Sequence, residues 1–247
     1  MKSPKRRQRI RKTLLIIALL LFPAVYYYLS PYLIIMGAQE GVVNGSFIMF
    51  ALQFLSTLLL GRAWCGWVCP AGSLHHACRM INDKPVPGGK WNWIKYVIWV
   101  PWISLIAFMA ISTGGYKSID FFYQTEQGFS ATQPQSYILF YLIVGFLALL
   151  AIIIGRMAPC HYICWMAPFM ILGNAIKNAV RLPSLHLRAK AENCINCKLC
   201  DRHCPMSLKV NEMVQQGSMK NSECILCGEC VDNCPKDVIR YAFGKPQ

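Results

Sequence analysis

Residues 194–205 read CINCKLCDRHCP, and residues 224–235 read CILCGECVDNCP. Both follow the pattern C-x2-C-x2-C-x3-C-P, so one cysteine spacing is written twice. Two-residue gaps let three sulfurs wrap a short turn around one iron–sulfur cube, and the fourth iron takes its thiolate from elsewhere. In runs of this kind the fourth cysteine ligates the other cluster of a pair. The spacing therefore predicts one [4Fe–4S] cluster on Cys194, Cys197, Cys200 and Cys234, and a second on Cys224, Cys227, Cys230 and Cys204. Pro205 and Pro235 follow the crossing cysteines, where a fixed φ and a missing N–H turn the chain away. Zinc sites usually show two separated C-x2-C knuckles, without the triple and its x3-C-P tail. Eight cysteines in two matched runs also argue against a disulfide framework.

Composition narrows the setting. Of 247 residues, 55% are hydrophobic, which is too apolar for an ordinary soluble protein. The formal net charge of +14 sits beside apolar runs and does not stripe a soluble face, so a membrane explains it more simply than nucleic acid. Most of the thirteen cysteines fit thiolate ligation, which needs a reducing compartment. There is no C-x-x-C-H for covalent haem attachment.

Taken in order, residues 1–12 carry Lys2, Lys5, Arg6, Arg7, Arg9, Arg11 and Lys12 and are expected to form a basic cytoplasmic tail. Residues 13–167 are expected to form a membrane domain of four helices. The first span is 14–36, 23 residues without a charge and with Pro23 and Pro31 as kinks. The second lies within 41–61, the third runs from 93 to about 114, and the fourth covers 137–154. Trp91, Trp93, Trp99 and Trp102 suggest an interfacial belt. The loop between spans two and three carries Arg62, Arg79, Lys84 and Lys90, and the segment after span four is also basic. The other two connections share only Lys117. The positive-inside rule then places both termini and all the cysteines on the cytoplasmic side. Residues 168–190 read as an amphipathic helix, apolar at Phe169, Leu172, Ile176 and Val180, followed by a linker. Residues 191–247 form the two-cluster unit, with DVIRYAFG as its closing strand. The fold class expected is an α-helical integral membrane protein with a small C-terminal α+β two-cluster ferredoxin domain.

The membrane half holds a second cysteine set in a weak internal repeat. GRAWCGWVCPAG begins at Gly61 and GRMAPCHYICWMAP at Gly155, each with Gly-Arg and then C-x3-C. Residues at i and i+4 share a helical face, so Cys65 with Cys69 and Cys160 with Cys164 are expected to present two sulfur pairs to one another. Buried thiols packing as small hydrophobes are the bland explanation. A third iron–sulfur centre, a soft-metal site for Cu(I), or a redox dithiol pair are the functional ones. Arg62 and Arg156 read as topology anchors. His75 and His76 read as interfacial residues.

These motifs together resemble the membrane-anchored [4Fe–4S] polyferredoxins, a group with NapH-type quinol dehydrogenase subunits, NosR-type proteins and CcoG-type copper reductases. The resemblance runs from the first span to Cys234. It implies a multi-pass protein of a bacterial or archaeal cytoplasmic membrane that relays electrons between a quinone or a redox partner protein and cytoplasmic clusters. The lipid membrane and the subunits of a redox complex are then its partners, and nucleic acid is not. The family motif places proline directly after the second cysteine of each pair. Cys69-Pro70 conforms, whereas Cys164 is followed by Trp165 and the proline waits until Pro168. The reading is electron transfer through two [4Fe–4S] clusters in a quinone-linked or ferredoxin-linked oxidoreductase. The alternative is copper reduction or cofactor assembly at the C-x3-C cysteines.

Overall fold

Prolines and glycines cut the apolar stretches into more pieces than hydropathy alone suggests. In the computed structural model, which describes residues 6–245, α1 (Arg6–Leu20) is followed by α2 (Phe22–Val25) and a 3-10 turn (Tyr26–Leu29). Lys2 and Lys5 of the basic stretch lie outside the described residues. The chain bends by 61° between α1 and the segment ending at Leu29. Pro23 lacks the N–H that would continue the ladder, and Ser30 is extended (φ −85, ψ 120) ahead of Pro31, as a residue before proline tends to be. Ser30 then caps α3 (Pro31–Glu40) by accepting from the Leu33 N–H, and Gly41 closes that helix at φ 70. The expected first span of 14–36 is thus not one kinked rod.

A short strand β1 (Val42–Asn44) leads into α4 (Gly45–Leu60), capped by the Asn44 side chain, which accepts from the Phe47 N–H at 3.0 Å. Its 16 residues extend about 24 Å, short of a hydrocarbon core of about 30 Å. After α5 (Ala63–Trp67) and α6 (Pro70–Cys78) comes α7 (Ile94–Ser112), then β2 (Ser118–Asp120), which pairs with β1 in parallel, and α8 (Pro134–Ile154). Two helical stretches, Trp91–Ser112 and Pro134–Ile154, are long and apolar enough to cross a membrane. The bent segment ending at Leu29 makes a third if it is one span. Of the four spans expected, these are the ones that meet the length and hydropathy needed among the described residues. Phe108, Ile111, Tyr141, Leu142, Phe146 and Ile153 face outward from α7 and α8, an apolar surface suited to lipid and not to water.

Trp99 and Trp102 pack both rings edge-on against Phe169, and the Trp102 indole donates to the Pro31 carbonyl at 3.1 Å. Two further expectations change. The helix expected at 168–180 is α10 (Met166–Ala179), preceded by α9 (Ala158–Tyr162). Its buried side is Met166, Met170, Gly173 and Lys177, while Leu172, Ile176 and Val180 face out. Gly173 permits this packing, since a Cβ there would stand 1.9 Å from Thr57 Oγ1 of α4. Half of the expected linker is strand β3 (Ser184–Ala189), antiparallel to β4 (Ile239–Gly244) from Ser184↔Gly244 to Ala189↔Ile239. Between these strands lie α11 (Leu199–His203), α12 (Val210–Gln215) and α13 (Glu229–Asp232), around a core of Met206, Val210, Val214, Ile225, Val231 and Ile239.

The basic N-terminal stretch, expected as a tail, is helical from Arg6 and docked. Arg11 is 2% exposed, pairs with Glu229 at 2.9 Å and donates from Nε to the Gly66 carbonyl at 2.7 Å. Gln8 donates to the Cys227 carbonyl at 3.0 Å, and Arg7 pairs with Asp232 at 2.9 Å. The start of α1 and the second cysteine run therefore lie on the same side of the molecule.

Candidate metal centres

The two C-terminal cysteine runs fold alike, residue for residue. Asn196 and Leu226 precede the second cysteine of each run at φ 52 and φ 49, and Lys198 and Gly228 follow it at φ 54 and φ 77. Positive φ at a non-glycine residue costs of order 1–3 kcal/mol and persists where the surroundings enforce it. Here it curls each run inward. The result is two groups of four sulfurs. Cys194, Cys197, Cys200 and Cys234 line one cavity of about 350 Å³, and Cys204, Cys224, Cys227 and Cys230 line another of about 400 Å³. Cys204 lies near enough to Cys227 and Cys224 for their thiolates to repel. Burial pushes the Cys204 thiol up to about 12 and the Cys227 thiol up to about 11. Bare thiolates are disfavoured there, and a cationic iron core supplies the missing counter-charge. The outer set is more open, with Cys197 exposed.

The membrane half repeats one local fold around its own four cysteines. In each copy a positive-φ glycine (Gly61 at φ 56, Gly155 at φ 132) precedes arginine, and a five-residue helix carries the first cysteine. That helix ends at Val68 (φ −136, ψ −1) or at Ile163 (φ −123, ψ −4). The shared helical face expected for each C-x3-C pair is therefore corrected: the helix breaks between the two cysteines. Cys69 becomes the N-cap of α6, and Cys164 lies just ahead of α10. Pro70 enforces the first break by opening the new helix.

Cys65, Cys69, Cys160 and Cys164 still converge on one cavity of about 660 Å³, which no Asp or Glu lines. Among its lining residues Gln53 Nε2, Arg62 Nε, Trp64 Nε1, His75 Nε2 and Trp165 Nε1 are buried without a hydrogen-bond partner among the described residues. Such nitrogens are costly to bury unsatisfied. A wall of thiols and unpartnered side-chain nitrogens, with no carboxylate among its lining residues, matches an electron-rich group with many acceptor sulfurs. His75, expected at the interface, is 2% exposed with Nδ1 3.1 Å from Cys160 Sγ, and burial lowers it to about 4, so it is neutral. Cys65 Sγ also touches Met170 Sδ at 3.2 Å. Among the described residues no three His, Cys, Asp or Glu side chains close tightly enough to hold a lone metal ion.

The two Gly-Arg arginines, expected as topology anchors, each grip one cysteine run. Arg62 is 2% exposed and donates to the Ser222 carbonyl at 2.7 Å and to Glu223 at 3.0 Å, directly before Cys224. Arg156 donates to the carbonyls of Arg202 and Cys204 at 2.9 and 3.0 Å. Glu223 also binds Lys95, which is fully buried near the start of α7, so one carboxylate joins two cations. The single lysine in that apolar stretch was the sequence signal for this pair. Gly66 sits under the run as well, since a Cβ there would lie 2.3 Å from the Ile225 carbonyl. Ile225 lines both the four-cysteine membrane cavity and the cavity of the inner C-terminal set.

A family model for a 4Fe-4S binding domain matches this chain twice, over residues 45–87 and 138–183, and a 4Fe-4S dicluster domain matches residues 193–239. The double match falls on the two membrane repeats. A protein of Methanocaldococcus jannaschii of no assigned function is 29% identical over 83% of this chain and 82% of its own. YccM of Escherichia coli, named for a candidate role in electron transport, is 26% identical over 87% of this chain. The nitrogen fixation protein FixG of Rhizobium meliloti is 24% identical over 73%. The chain belongs to the membrane-anchored 4Fe–4S ferredoxin family. It spans 60% of YccM and 38% of FixG, so those relatives are longer. No solved structure gives a significant match. Iron–sulfur electron transport is the activity that the family domains and the name of YccM support.

Proposed function

We propose that this protein carries single electrons between a membrane-embedded iron–sulfur centre and two [4Fe–4S] clusters in its C-terminal unit, as a subunit of a quinone-linked or ferredoxin-linked oxidoreductase. The observation that carries this is Ile225, which walls both the four-cysteine membrane cavity and the inner C-terminal one. Cys194, Cys197, Cys200 and Cys234 hold the outer cluster. Cys224, Cys227, Cys230 and Cys204 hold the inner one. Cys65, Cys69, Cys160 and Cys164 hold the third. Iron–sulfur groups supply one-electron redox steps over a wide span of potentials.

The chain's own residues hold these sites in order. Arg62 and Arg156 fix the inner set against the membrane repeats, and the orphaned nitrogens of Gln53, Trp64, His75 and Trp165 are placed to hydrogen-bond a group in the membrane cavity. The docking of Arg7, Gln8 and Arg11 against the second run supports a common cytoplasmic side for α1 and the clusters. With α4 as a short, partly buried crossing, the membrane part has four spans. Iron and acid-labile sulfide are the test. Anaerobically purified protein should hold about twelve irons per chain, and the variant with Cys65, Cys69, Cys160 and Cys164 changed to Ser about eight. Equal iron in both, with copper bound only by the parent, would replace the third cluster with a copper site. No iron in either would end the reading.

A further inference from the structure

A further cavity, open to solvent, lies where the end of α4, the second half of α10, strand β3 and residues 217–221 meet. Five basic side chains line it: Arg62, Lys177, His186, Arg188 and Lys220. No aspartate or glutamate does. The deepest of the five is Lys177, 3% exposed, whose Nζ has one long hydrogen bond, 3.4 Å to the Leu185 carbonyl. It has no carboxylate partner among the described residues. The other deeply buried cations are paired: Arg11 with Glu229, Arg62 and Lys95 with Glu223, and Arg156 with Asp83. Burying a cation is costly, and among the described residues the acidic group that acts on Lys177 is the Cys224 thiol, which also lines the cavity, so the basic groups of this wall outnumber the acidic ones. Asn174, Asn178, Ser218 and Asn221 add neutral hydrogen-bonding groups to the wall.

We propose that this cavity binds a phosphate-bearing anion, with Lys177 as its deep contact and Arg188 and Lys220 closing over it from the exposed rim. Several cationic donors arriving from separate elements suit a group with several acceptor oxygens, which phosphate has and a lone chloride lacks. Two sources share this chemistry. One is the headgroup of an anionic lipid: the cavity opens at the end of α4, whose Leu55, Leu59 and Leu60 are exposed, and basic pockets at membrane-helix ends take such headgroups. The other is a soluble phosphate compound.

The test uses full-length, iron-replete protein in detergent, stripped of lipid. One arm adds dioleoyl phosphatidylglycerol, with dioleoyl phosphatidylcholine as control, and counts bound lipid by native mass spectrometry. The other arm titrates inorganic phosphate by calorimetry. One site per chain in either arm, weakened about tenfold in Arg188→Gln/Lys220→Gln, supports the proposal. Saturation by phosphatidylglycerol with weak phosphate binding assigns the lipid, and the reverse assigns a soluble anion. Lys177→Gln should abolish binding. If that variant does not fold, the rim variant, whose two side chains are exposed, still decides. Binding in neither arm, or binding indifferent to both variants, overturns it. Iron content is read on the same samples, so loss of clusters and loss of the anion site are told apart.

Discussion

Arg156 donates from Nη1 to the backbone carbonyl of Cys204 at 3.0 Å, which ties the second membrane repeat to the first cysteine run. Arg62 ties the first repeat to the second run beside Cys224. The inner cluster set is therefore gripped from both halves of the repeat. Arg156→Gln should remove charge-assisted bonds to Cys204 and Arg202, each worth about 1.5–3 kcal/mol. The expected outcome is faster loss of cluster absorbance on heating, with Arg156→Lys recovering only part, because one ammonium cannot span the fork.

Among the described residues Glu223 is the sole carboxylate partner of two buried cations, Arg62 and Lys95. Glu223→Gln leaves both without a counter-charge and should cost about 3–5 kcal/mol. The double variant Glu223→Gln/Lys95→Met should be more stable than Glu223→Gln alone, since one stranded charge is gone. Thermal unfolding of the four forms of this cycle measures the coupling. Additive effects would show that Glu223 and Lys95 are not coupled.

The cavity walls make the crossing of the fourth cysteines testable one cluster at a time. Cys204→Ser should perturb the EPR signal of the cluster on Cys224, Cys227 and Cys230 and spare the other. Cys234→Ser should do the converse. If each substitution instead disturbed the cluster of its own run, the two groups of four would be wrong.

Gly66 separates assembly from transfer. A Cβ there would press within 2.3 Å of the Ile225 carbonyl and push the second run off the membrane repeat. Gly66→Val should keep iron near the parent's value while slowing cluster reduction through the membrane half by at least about tenfold, measured by stopped-flow absorbance. Unchanged kinetics would mean that this contact is not on the electron route.

Some of this architecture was legible in the residues themselves. The C-x2-C-x2-C-x3-C-P spacing is a local constraint, so three sulfurs of each group are readable from chain distance, and the crossing fourth follows from the pattern of paired runs. The Gly-Arg repeat was readable for the same reason, and the four membrane cysteines do share a cavity. What chain distance hides is who meets whom. Arg62 finds Glu223 at a separation of 161 residues, and nothing near Arg62 distinguishes a docking arginine from a topology anchor. The break between Cys65 and Cys69 was obscured because i and i+4 spacing suits a helix, while Pro70 starts a new one. The outward Leu172, Ile176 and Val180 misled for another reason: beside lipid, the apolar side of a helix need not be its packed side.

The contact of Arg7 with Asp232 spans 225 residues and joins nearly the first described turn of the molecule to nearly the last. During synthesis, α1 leaves the ribosome with its partner still untranslated, so this seam closes only after the final cysteine run has emerged. Closing it covers Cys227 and its neighbours with Gln8 and Arg11. The second cysteine run thus gains its outer hydrogen bonds, at the Cys227 carbonyl and the Glu229 side chain, only when the earliest and latest parts of the chain are both present.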